Sequence, residues 1–193
     1  MLSSLPGAAI TSVKIKGVPH EFTAVDGIKE DALSIILNLK MVRVKIHQGD
    51  KHKMTLSVKG SKEVKAGDIK CDSDVEIVNK DLYLFTVNKD KADIEMEFEV
   101  EMGRGYLTAE ERKEKKGISE IVLDALFAPV EKVSYLVENT RVGQATNFDK
   151  ITFHIVTDGT TTPMNALVDA SNILVEQFSL LAGNREPTKI KKE

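Results

Sequence analysis

The sequence predicts an α+β fold, a mostly antiparallel sheet with one long helix near the end of the chain and a shorter one among the strands. Two periodicities carry this. From Met41 to Met102 apolar residues recur at every second position, as on a half-buried strand, and from Pro163 to Leu181 they recur with the period of a helix. A third observation sets the scale: 193 residues, 41% hydrophobic and 30% charged, suffice for a real core in one large or two small domains.

In order along the chain, LSSLPG reads as the last turn of a helix closed by Pro6-Gly7. Ala8 to Ile15 alternates imperfectly and reads as a strand, and after Gly17 the run Val18 to Val25 is its expected hairpin partner. The period then changes. Ile28, Ala32, Ile35, Ile36 and Leu39 share one helical face over Ile28 to Leu39, with Glu30 and Asp31 in the first turn, where the helix dipole favours acids. Strands follow at Val42-Val44-Ile46, Met54-Leu56-Val58, Val75-Ile77, Leu82-Leu84 and Ile94-Met96-Phe98-Val100. Gly103 to Lys116 is charge-dense and reads as a surface loop, and Ile118 to Phe127 is a short apolar run. Pro129 to Glu138 and Lys150 to Thr157 read as two strands joined by the connector NTRVGQATNFD.

The last helix has the clearest limits. Thr161 or Thr162 can cap it, Pro163 sits at its first position where the missing N–H costs nothing, and Gly183 with Asn184 supplies a left-handed stop. Leu167, Leu174 and Leu181 recur every seven residues, flanked by Ala166, Ile173 and Leu180 and by Ala170 and Phe178. So wide an apolar face needs a partner surface. Periodicity leaves two uses open, burial in the core of a monomer, which is the commoner use of such a stripe, and a subunit interface. Residues 184–193 read as a polar tail.

Composition excludes several classes. No apolar run reaches the roughly 18 residues of a membrane span, and the start lacks a basic segment ahead of a long apolar one, so a cytoplasmic location is expected. The single cysteine, Cys71, forbids an internal disulfide and a multi-cysteine zinc cluster. A net charge of −3 does not suit a chain that grips DNA by itself.

Catalytic chemistry is not evident. His20, His47, His52 and His154 are scattered without metal-ligand spacing, and nothing marks a base beside Cys71. Asp72, Asp74 and Glu76 lack the spacing and glycine of a calcium loop. Glu95, Glu97, Glu99 and Glu101 could be taken for a metal-binding row, yet alternate carboxylates are what the solvent face of a half-buried strand shows in any case. GRGY lacks the later Gly-Lys-Ser/Thr of a phosphate loop. No catalytic, cofactor or metal residues are therefore assigned.

Several longer blocks occur together: LSSLPGAAITSVKIKGVPHEF, GIKEDALSIILNLK, AGDI followed by DVEIVN, GRGY, LDALFAPVEKVSY and VENTRVGQATNFDKITFHIVTDGTTTP. In this order they resemble the N-terminal domain of the bacterial RNA polymerase α subunit, from Leu2 to about Ala182. The resemblance implies a scaffold. In that family two α chains dimerise and recruit first β and then β′, while the active site and its magnesium belong to those large subunits and DNA is met through the complex. The implied architecture is a discontinuous dimerisation domain, residues 1–6 and 129–183, interrupted by an inserted, mostly antiparallel β domain over residues 7–128.

Carried over by motif, Leu2 of LSSLPG resembles a residue used against β. Lys40, closing LNLK, and Leu123 with Asp124, in VLDA, resemble positions of large-subunit contact. Leu167, Ala170, Leu174, Phe178 and Leu181 become the expected dimer interface. Taken alone, Lys40 is a helix-closing cation able to meet the dipole, solvent or a partner carboxylate. Leu2 and Leu123 alone would be core residues. Family members carry a strand and a GNALRR-like helix ahead of this stretch and a promoter-binding domain after it, so half of a dimerisation helix pair is expected to be missing here, through truncation, a late-assigned start or a split subunit. Met41 stands where the family usually has glycine, and the loop Thr108 to Lys116 is short, which puts an activator contact there in doubt. The alternative to an assembly subunit is a stand-alone dimeric α-like binding module without a polymerase.

Overall fold

The computed structural model describes residues 1–18, 22–23, 25–90, 92–112, 120–142 and 145–183. His20, Asn184, the tail 184–193 and part of the 108–116 loop therefore lie outside the described residues. The fold is α+β, strand-rich with two α-helices.

Strands β1 (Pro6–Ile15), β2 (Val44–Ile46), β3 (Lys51–Lys59), β5 (Val75–Ile77), β7 (Asp93–Arg104) and β9 (Ile121–Val122) form one six-stranded sheet in the order β3-β7-β1-β2-β5, with β9 on β1. Each pairing in it is antiparallel. Among the described residues three two-stranded pairings stand apart from it: β4 (Lys62–Lys65) with β6 (Tyr83–Val87), β8 (Tyr106–Leu107) with β10 (Ala125–Leu126), and the long ribbon β11 (Val130–Val142) with β12 (Ala145–Thr157).

Register explains the core. Phe98 lies opposite Val13 on β1 and Met54 on β3, while Met96 lies opposite Ile15 and Leu56, so one face of β7 is apolar across three strands. The imperfect alternation of β1 is a bulge: the register shifts between Ile10 and Ser12, leaving Thr11 as the extra residue and returning Val13 to the core face. Helix α1 (Ala32–Lys40) closes this core with Ala32, Ile35, Ile36 and Leu39. Burying each large side chain, such as Phe98 or Leu39, is worth about 1.5–3 kcal/mol.

The helix starts later than its periodicity suggests. Asp31 is the N-cap, its carboxylate accepting from Ser34 N–H at 3.0 Å, and Ile28 belongs to an isolated bridge with Val87. Glu30 is likewise outside the helix, where it accepts from Thr86 N–H and the Tyr83 hydroxyl. Nor is Val18 to Val25 a strand in its described residues. Its ends, Val18 and Val25, are buried plugs in the core, and β1 is already flanked by β7 on one edge and by β2 and β9 on the other.

A second, smaller apolar cluster gathers Leu5, Val130 and Ala166, with Met1, Val133, Ile155, Ala170 and Ile173 packed against it. It joins the start of the chain, the β11–β12 ribbon and α2 (Pro163–Leu181). Thr162 is the N-cap, accepting from Asn165 N–H at 3.2 Å. Leu2 to Ser4 form a turn rather than helix. The connector expected between β11 and β12 is mostly strand, with pairing continuing to Thr140↔Phe148 and Val142↔Ala145. Its polar residues hid this, because a two-stranded ribbon exposed on both faces shows little hydrophobic alternation at its tip.

Candidate functional site

Two surfaces carry chemistry or unpartnered apolar area. The first is the face shared by the ribbon and α2. On β11 and β12 the pairs Val133↔Ile155, Tyr135↔Phe153 and Val137↔Ile151 lie on one side. The near pair packs under α2, while Tyr135, Val137, Ile151 and Phe153 are 70%, 50%, 55% and 43% exposed. The Tyr135 and Phe153 rings lie 6.4 Å apart, centroid to centroid, on that open part.

Helix α2 extends the same condition. Ala166 alone is fully buried on it, and Leu174, Phe178 and Leu181 are exposed, the last at 83%. The chain itself covers this helix at Ala166, Ala170 and Ile173, which pack with Leu5 and Val130. Leu167 is half-buried. Ala170, of the expected interface row, is partly buried and packs with Ile173 against the Leu5–Val130 cluster. The open ribbon residues were not singled out, although the alternation Val133-Tyr135-Val137 and Ile151-Phe153-Ile155 was visible.

The second surface surrounds the C-terminal end of α1. Lys40 Nζ lies 2.7 Å from Asp124 Oδ2, and Asp124 Oδ1 accepts from Ala109 N–H at 2.9 Å. The hydrogen bond from Lys40, then that from Ala109, hold the Asp124 carboxyl below the ordinary carboxylate range, with a further contribution from Tyr106. Beside this pair α1 carries Leu33, Leu37 and Met41 at four-residue spacing, 44%, 55% and 56% exposed. Tyr106 and Leu126, paired across β8 and β10, are exposed near the same carboxylate. Leu33 and Leu37 lie on the outer face of α1, away from the buried Ala32, Ile35, Ile36 and Leu39, and Met41 is its C-cap. The signal of this outer row in the sequence was masked by the inner row, since both have helical spacing.

Of the residues assigned to large-subunit contact, the structure brings Lys40 and Asp124 together. Leu123 is a core side chain at 1% exposure, its N–H bonded to the Thr11 carbonyl, while Asp124 beside it is partly exposed. Leu2 is 52% exposed at the chain's first turn.

The row Glu95, Glu97, Glu99 and Glu101 lies on the central strand β7, opposite Lys53 and Lys51 of β3 and Lys14 of β1. Lys16 pairs with Glu95 at 2.8 Å and Lys51 with Glu101 at 3.0 Å. Lys51 also reaches Glu99 at 3.6 Å, so cations meet Glu95, Glu99 and Glu101, and no group of three or more His, Cys, Asp or Glu that could hold a metal occurs among the described residues. The Cys71 thiol is pushed up by burial, the opposite of an activated nucleophile, and lies 3.4 Å from the Met54 sulfur. No helix among the described residues is long and apolar enough to cross a membrane.

Comparison with known proteins decides the family. A family model described as the RNA polymerase Rpb3/RpoA insert domain matches residues 13–128. The chain belongs to the bacterial RNA polymerase α family. It is 50% identical over 182 residues to the DNA-directed RNA polymerase subunit alpha of Roseiflexus castenholzii, covering 94% of this chain and 56% of that protein. The subunits alpha of Geobacter metallireducens and Oceanobacillus iheyensis are 46% and 45% identical over 93% and 95% of the chain, and over 53% and 58% of their own lengths. The chain thus spans little more than half the length of these curated relatives. Lys40 and Asp124 both fall inside the range matched by the insert-domain model.

Proposed function

We propose that the chain is a non-catalytic assembly subunit of a bacterial DNA-directed RNA polymerase, dimerising with a second copy and scaffolding the β and β′ subunits for transcription. The observation that carries this is the identity to α subunits across nearly the whole chain, joined to two unpartnered apolar surfaces in one small protein. In this reading residues 1–6 and 129–183 form one dimerisation lobe, supported by the Leu5–Val130–Ala166 cluster, and residues 7–128 the inserted lobe. The open ribbon face with Leu174, Phe178 and Leu181 meets the second copy. The α1 row with Lys40 and Asp124, and separately Leu2, meets large subunits. Magnesium and nucleotidyl transfer belong to those large subunits, DNA is reached through the complex, and the assembly works in the cytoplasm.

Affinity purification of the tagged chain from its own cells tests the proposal. Recovery of two large subunits together with an untagged copy is expected. Recovery of the chain with itself alone would point instead to a stand-alone dimeric module and overturn the assembly role.

A further inference from the structure

The bulge in β1 aims the Thr11 carbonyl out of the β1–β7 ladder, and two donors converge on it: Leu123 N–H at 2.9 Å and Arg112 Nη1 at 3.1 Å. Arg112 Nη2 also lies 2.5 Å from Glu101 Oε2, and the Arg112 side chain is only 8% exposed. Its Nε has no partner among the described residues. A buried ion pair with one donor left unsatisfied is poor at adding stability, since desolvation offsets most of its attraction. What such a pair does well is fix where a segment runs.

The segment it fixes is the turn between β8 and Arg112. Thr108 and Glu111 close that turn reciprocally, Thr108 N–H donating to Glu111 Oε2 at 3.3 Å and Glu111 N–H to Thr108 Oγ1 at 3.4 Å. Inside the turn, Ala109 N–H is the group that bonds Asp124 Oδ1, leaving Oδ2 for Lys40. The same Thr11 carbonyl anchors Leu123, the residue before Asp124. One buried guanidinium and one bulged carbonyl thus hold both sides of the carboxylate.

We propose that Arg112 is a positioning residue for the Lys40–Asp124 surface: by tying the 108–111 turn to Thr11 and Glu101 it holds Ala109 N–H on Asp124, and so sets the carboxylate against Lys40. Asp124 faces three groups, Lys40, Ala109 N–H and Tyr106, and the turn that Arg112 anchors carries the second of them. The inference rests on the reading of this surface as a large-subunit contact, but its geometric part is measurable on the chain alone.

The test follows the Asp124 carboxyl carbon by NMR as pH is varied in wild type, Arg112→Gln and Thr108→Ala, with recovery of the large subunits measured for the same proteins and for Lys40→Ala. Arg112→Gln should raise the Asp124 midpoint toward the ordinary carboxylate value and lower recovery by roughly threefold or more. Thr108→Ala, an exposed change that leaves the core intact, should raise the midpoint in the same direction and keeps the inference falsifiable if Arg112→Gln does not fold. Arg112→Lys, which retains the charge beside Glu101, should restore part of both. An Asp124 midpoint identical to wild type in folded Arg112→Gln and in Thr108→Ala would overturn the positioning role. If the midpoint rises while Lys40→Ala still recovers both large subunits, the positioning stands and the contact reading of the surface fails.

Discussion

Lys40 and Asp124, 84 residues apart in sequence, meet at 2.7 Å and join the end of α1 to the corner between β9 and β10. The sequence suggests that a helix-closing lysine could serve a partner's carboxylate. The carboxylate it meets is its own chain's, which makes the pair a preformed unit of opposite charges about one-third exposed on each side. A preformed pair presents both charges in fixed positions, so an incoming surface has less ordering to do.

Removing either charge should therefore separate folding from assembly. Lys40→Ala should cost only about 0.2–1 kcal/mol in a denaturant titration, as expected of a partly exposed pair. Recovery of large subunits should fall at least about tenfold. Equal recovery across a salt titration would leave Lys40 as a structural partner of Asp124 only.

Acid should weaken the fold through identified groups. In Glu30 and Asp68 burial favours the neutral form, but it is outweighed in Glu30 by Thr86 N–H and the Tyr83 hydroxyl, and in Asp68 by Lys62 and Lys65 N–H; both carboxyls end below their ordinary value, as Asp124 does. A carboxyl with a lower pKa folded than unfolded contributes stability that is present above the unfolded value and lost as pH falls through the folded one. Stability should thus decline from about pH 4 downward. Glu30→Gln and Asp124→Asn should each flatten part of that limb in urea midpoints measured against pH. An unaltered acid limb in both variants would place its origin in other carboxylates.

Leu174→Asp should leave the isolated fold within about 0.5 kcal/mol of wild type, because the side chain is 58% exposed. Self-association, read by sedimentation, should weaken strongly, since the carboxylate would be left unpaired in an apolar seam. A dimer of unchanged strength would move the interface off this face of α2. Phe153→Asp on the ribbon is the companion variant and should act in the same direction.

Leu37→Asp addresses the α1 row. Leu37 is 55% exposed while its neighbours Ile36 and Leu39 are buried, so melting should hardly change. Depletion of a large subunit from the purified complex is the expected result, and an intact complex would assign that row to ordinary surface.

Gly7→Ala should be the most damaging single change among these. A Cβ there would lie 1.8 Å from the Phe127 carbonyl oxygen, a backbone atom just past β10, so the backbone itself would have to shift. Overpacking of this kind costs about 1–3 kcal/mol or more. Thermal unfolding of Gly7→Ala within a degree of wild type would show that β1 can shift at this point.

By itself the sequence determined the alternating strands of the main sheet, the inner face of α1 and the limits of α2, because each depends on local spacing: Ile94-Met96-Phe98-Val100 reads as a strand, and Pro163 with Gly183 brackets a helix, whatever surrounds them. The order of its blocks also pointed to the α family. Tertiary structure alone decided how those pieces are used. Periodicity cannot tell a buried stripe from one awaiting a partner, so the exposure of Leu174 and Phe178, the inward turn of Ala170 and the burial of Leu123 became visible only once the ribbon was placed beneath α2 and β9 beside β1. The Lys40–Asp124 pair and the Arg112 anchor depend on contacts across 84 and 101 residues, distances over which spacing carries no signal. The acidic row of β7 shows the same division: alternation marked it as a solvent face, but only the tertiary structure brought Lys16, Lys51 and Arg112 against it.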